Sequence, residues 1–78
     1  MLPMKMLSRL RYLLSEGFEV ASLSVYDGSS DLGNASIVYI VRDKRGARRL
    51  RSEEFDVTPD EMKRASQLFL ATLSRREE

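Results

Sequence analysis

Between Arg42 and Arg51 the chain carries six basic side chains, Arg42, Lys44, Arg45, Arg48, Arg49 and Arg51, against one acid, Asp43. The stretch sums to +5 in a protein whose net charge is +1. Cations gathered at that density attract phosphate backbones, because each neutralised phosphate releases condensed counterions. DNA or RNA is therefore one expected ligand. An acidic protein partner is another, since arginine is favoured at protein interfaces. A third account needs no ligand: arginines on an edge strand discourage edge-to-edge aggregation, with Glu53, Glu54 and Asp56 close by in sequence to pair with them. Only Tyr39 lies near the run, so base stacking finds few aromatic platforms there.

Other chemistries have less to work with. Histidine and cysteine are absent, which removes the usual general base near neutral pH, the thiolate nucleophile and cysteine–zinc sites. Ser8, Ser15, Ser22, Ser24, Ser29 and Ser30 belong to no nucleophile-elbow pattern, so no catalytic residue is assigned and the chain is expected not to be an enzyme. Asp27, Asp31 and Asn34 could gather around a cation, but they lack the calcium-loop spacing and its terminal glutamate. Gly28, Gly33 and Gly46 have the wrong spacing for a phosphate loop. No cofactor, metal or small-molecule ligand is expected.

The elements that would position the cations are legible. Met6, Leu7, Leu10, Leu13 and Leu14 recur at helical spacing over residues 3–16, and Gly17 with Phe18 marks the stop. Residues 19–26 alternate, with Ala21, Leu23 and Val25 on one face and Ser22, Ser24 and Tyr26 on the other. Asp27 to Asn34 reads as an exposed loop. Residues 36–42 form the most β-prone run and predict a central strand apolar on both faces. Asp43-Lys44-Arg45-Gly46 predicts a type I turn closed by a glycine bulge. A third strand over residues 47–55 follows, with Leu50 expected inward and Arg49 and Arg51 outward. Thr58-Pro59-Asp60-Glu61 makes a capping box with Glu61 completing the cap, and Val57 and Met62 make a hydrophobic staple. The helix it opens, residues 59–75, carries Met62, Ala65, Phe69, Leu70 and Leu73 on one stripe and leaves Leu68 off it.

The order α-β-β-β-α predicts an α+β fold, a two-layer sandwich of a three-stranded antiparallel meander with both helices packed on one face. Seventy-eight residues, 42% hydrophobic and 32% charged, suit one small domain over residues 1–78. A chain this short buries only about 60% of its unfolded surface and has no disulfide to help, so a homodimer is a natural source of further stability. No run of apolar residues could span a bilayer and no signal-peptide core follows Met1, so the expected compartment is the cytoplasm, without a membrane partner.

The element order is similar to that of double-stranded-RNA-binding domains, which place a helix, three antiparallel strands and a second helix in this sequence. Those domains open the last helix with a lysine-rich, alanine-spaced grip on phosphates. Here the position reads Thr58-Pro59-Asp60-Glu61, with Lys63, Arg64 and Ala65 after it, so no membership is assigned and the fold leaves function open. Two expectations follow. The first is a non-catalytic binding or regulatory domain that holds nucleic acid through the basic hairpin, residues 42–51. The alternative is a protein–protein adaptor or homodimerisation module using the free sheet face, with Tyr26, Val38, Ile40 and Leu68 at the interface.

Overall fold

A computed structural model describes residues 3–26 and 33–77, the side chains of Tyr26, Arg76 and Glu77 excepted. Its elements run α1 (Lys5–Ser15), β1 (Glu19–Tyr26), β2 (Gly33–Arg42), β3 (Arg48–Val57) and α2 (Pro59–Glu77). The strands form one antiparallel sheet in the order β1-β2-β3. This is the expected α+β arrangement. Met6, Leu10, Leu13, Val20, Ala35, Ile37, Tyr39, Val57 and Ala65 share a single core between the helices and one sheet face.

Local signals set the boundaries. Gly17 takes a left-handed φ of +84°, the Phe18 N–H bonds to the Leu13 carbonyl and the Gly17 N–H to the Leu14 carbonyl, so α1 ends in a Schellman motif. Thr58 Oγ1 accepts the Glu61 N–H at 3.1 Å, which caps α2, and Val57 and Met62 both pack into the core. The Glu61 carboxylate, however, does not serve as expected in its own box. It crosses to α1, where Oε2 accepts the buried Leu7 N–H at 3.0 Å. The two helices therefore start at the same end of the sheet. Gly33 and Asn34, expected in the loop, pair with Val57 and Asp56 and extend β2; Asp27, Asp31 and the rest of that loop lie outside the described residues.

Three sequence expectations are corrected, two of them by the strand register. Val20 and Leu23 both face the core although they stand three apart, because a bulge between Val20 and Ser22 inserts one extra residue. Ala21, expected on the apolar face, is exposed there. In β3 the phase is the reverse of the expectation. Leu50 pairs with Ile40, turns away from the helices and is 70% exposed, whereas Arg49 and Arg51 stand on the helix side with Glu53 and Phe55. Phe55 and Val57 must both reach the core, and a period of two cannot bury them together with Leu50. In α2, Leu68 packs against the core and Leu70 is 61% exposed, so these two exchange the roles assigned to them. Leu68 shares a stripe with Glu61, Ala65 and Phe69, and Leu70 lies well round the helix from Ala65.

Candidate functional site

The hairpin between β2 and β3 is built by Asp43. Its Oδ1 accepts the N–H groups of Arg45 at 2.8 Å and Ala47 at 2.9 Å, while its carbonyl accepts the Gly46 N–H and its own N–H bonds to the Ala47 carbonyl. Gly46 occupies the left-handed region with φ +81°. This is the expected type I turn closed by a glycine bulge, and it holds Lys44 and Arg45 at the exposed tip.

The six cations do not share one surface. Arg42 and Arg48 stand opposite each other on the sheet face away from the helices, a like-charge pair that Arg48 relieves by reaching Glu19 of β1 at 2.8 Å. Arg49 and Arg51 stand on the helix side, and Arg49 Nε lies 3.6 Å from Asp43 Oδ2. Among the described residues, Arg42, Lys44, Arg45 and Arg51 have no carboxylate within salt-bridge distance. A ligand meeting the hairpin from one side would therefore find part of the charge and not all of it.

The sheet face away from the helices is covered by no described element. Val38 and Ile40 are half-buried there, Leu50 stands beside Ile40, and Ser52 beside Val38. Arg42 and Arg48 flank this apolar group toward the turn; at the other end stand Glu54 and Ser36, the latter buried although it is on this face. The Tyr26 backbone pairs with Asn34 at the far end, and the Tyr26 side chain lies outside the described set. Of the four residues expected at a partner interface, Val38 and Ile40 share this face and Leu68 does not. Leu50 joins them, and the parity of Phe55 and Val57 was the signal that could have placed it there.

A cluster missed in the sequence lies on the helix side of β3. Arg9 of α1 donates from Nε and Nη2 to the Glu53 carboxylate at 3.0–3.2 Å, and Tyr39 Oη donates to Glu53 Oε2. Phe18 meets the Tyr39 ring edge-on at 5.7 Å, and the Arg9 guanidinium lies 5.1 Å from the centre of the half-exposed Tyr12 ring. The Tyr39 hydroxyl above all holds the Glu53 carboxyl below its ordinary range; burial opposes it, and Arg9 and then Arg51 add to the lowering. The same contacts hold the Arg9 guanidinium above its own. The cluster ties α1 to the edge strand, and no nucleophile stands in it. Among the described residues, no group of three or more acids is placed to hold a metal ion, and no helix is long and apolar enough to cross a membrane. Comparison with protein-family models, with curated proteins and with solved structures finds no significant match to this chain.

Proposed function

We propose that the chain is a small non-catalytic interaction module that associates with a second copy through the part of its sheet left open by the helices. The observation that carries this reading is the exposure of Leu50 beside Ile40 and Val38, on a face and at an edge that no described element covers. Soluble chains leave few such apolar groups uncovered without a use for them. Sedimentation equilibrium is expected to return a dimer whose dissociation constant rises at least about tenfold on Leu50→Glu, which adds a negative charge to a strand that already carries Glu53, Glu54 and Asp56. A monomer up to millimolar concentration would overturn the reading.

A second reading keeps the hairpin as a nucleic-acid contact, favoured by the unpaired cations Arg42, Lys44 and Arg45 around one turn. It requires short duplex RNA or DNA to be retarded at low salt and released between about 50 and 200 mM. Alanine at those three positions would abolish the shift without changing the circular dichroism spectrum. Unretarded duplexes at low salt would discard it.

A further inference from the structure

The two edges of the sheet are not alike. β1 carries a bulge, a usual device for making an edge unfit for pairing. β3 has ten residues, no proline, and an unbroken register with β2 from Val57 to Arg48. Its backbone phase follows from the turn: Asp43 directs both its N–H and its carbonyl toward β3, so alternate residues along β2, and Arg49, Arg51, Glu53 and Phe55 opposite them, complete that ladder. Arg48, Leu50, Ser52, Glu54 and Asp56 thereby turn their N–H and C=O groups to the open side. The side chains of this edge are sorted by charge about Ser52. Arg48, Arg49 and Arg51 precede it, and Glu53, Glu54 and Asp56 follow it. From Ser52 to Glu61 the chain carries five acids and no base, directly after the basic stretch.

We propose that β3 pairs antiparallel with β3 of a second copy, with Ser52 on the two-fold axis, joining the two sheets into one. This rests on the self-association reading above and specifies its surface. In this register Arg48 stands opposite Asp56 of the other copy and Arg51 opposite Glu53, twice over by symmetry, and no like charges meet. Sliding the pairing by one step in either direction that preserves the faces sets Arg51 against Arg51 or Glu53 against Glu53 on the axis. The charge order thus selects one register as well as one orientation. It also gives the basic stretch a counterpart in the acids of β3 on the other copy. Roughly ten backbone hydrogen bonds become available along the shared edge.

Charge-swapped variants of the full chain test this. Arg48→Asp alone and Asp56→Arg alone are each expected to weaken the dimer at least about tenfold, since each sets like charges together in both halves. An equimolar mixture of the two is expected to recover a heterodimer, read by native mass spectrometry. The in-chain contact of Arg48 with Glu19 is not restored in that mixture, so recovery reports the contact between copies. Ser52→Pro removes an outward N–H that the β2 ladder does not use and is expected to give a folded monomer. Leu50→Lys, placed opposite Glu54 of the other copy, is expected to keep the dimer. A dimer dissociated by Leu50→Lys and untouched by Ser52→Pro, or a mixture of the swapped variants that stays monomeric, would overturn this edge pairing. The broader reading would survive the first of those results and would fail only if the unaltered chain is a monomer.

Discussion

Replacing Glu61 with alanine is expected to lower the unfolding free energy by about 2–4 kcal/mol, the sum of a buried N–H left without a partner and a negative charge lost from two helix N-termini. Glu61 is 3% exposed, and its carboxylate accepts the Leu7 N–H from a helix 54 residues away in sequence. α1 has no cap of its own: Met4 at its N-cap makes no side-chain hydrogen bond, and its first turn holds no acid. Glu61 is also in the first turn of α2. One carboxylate therefore stands between two helix N-termini that begin at the same end of the sheet, where each macrodipole favours negative charge. For a domain of this size the loss corresponds to a fall in melting temperature on the order of 15 °C. Urea unfolding at unchanged slope reads it directly.

A glutamine at the same position separates the two contributions. Its amide oxygen still accepts the Leu7 N–H, so only the charge–dipole part is lost, and about 1 kcal/mol is expected. If alanine and glutamine cost the same, the hydrogen bond to Leu7 is not what the site supplies. Hydrogen exchange at the Leu7 amide gives an independent check, because opening of the first turn of α1 should accelerate it in the alanine variant before the rest of the core responds.

The elements closed by neighbouring residues were readable from the sequence. Gly17 and Phe18 end α1, Asp43 and Gly46 turn the hairpin, and Thr58 caps α2, each through contacts only a few residues long. What could not be read is which face an edge strand presents and where a long polar side chain ends up. Leu50 was assigned inward on its own hydrophobicity, whereas the decision belongs to Phe55 and Val57 and to the register with β2. Ala21 was grouped with Leu23 on one face because alternation carries no mark of a bulge. Glu53 and Glu61 were taken as local partners for the arginines and for Thr58. They instead make contacts spanning 44 and 54 residues, which a pattern of neighbours does not contain. The candidate surface shifted for the same reason: reversing the phase of β3 moved Leu50 onto the open face and divided the arginines between two faces.

Glu53 should contribute to the acid limb of the stability profile. The Tyr39 hydroxyl first, and Arg9 next, favour its ionised form in the fold and hold the carboxyl below its ordinary value of 4.5. A carboxyl with a depressed folded value stabilises fully above its unfolded value and loses that contribution as the folded form protonates. The stability from this cluster is therefore complete at neutral pH and is lost as the pH falls below 4.5. Glu53→Gln is expected to cost about 1–2 kcal/mol at pH 7, toward the lower end because the side chain is one-third exposed, and to flatten the profile below pH 4.5. Tyr39→Phe keeps the ring against Phe18 and removes the hydroxyl, so the Glu53 titration should move up toward the ordinary range, and Arg9→Gln should move it in the same direction. Carbon-13 titration of the Glu53 carboxyl decides both points: a midpoint at or above the ordinary value in the unaltered chain would mean that Tyr39 and Arg9 do not hold the carboxylate, and that α1 is fixed to the edge strand by apolar packing alone.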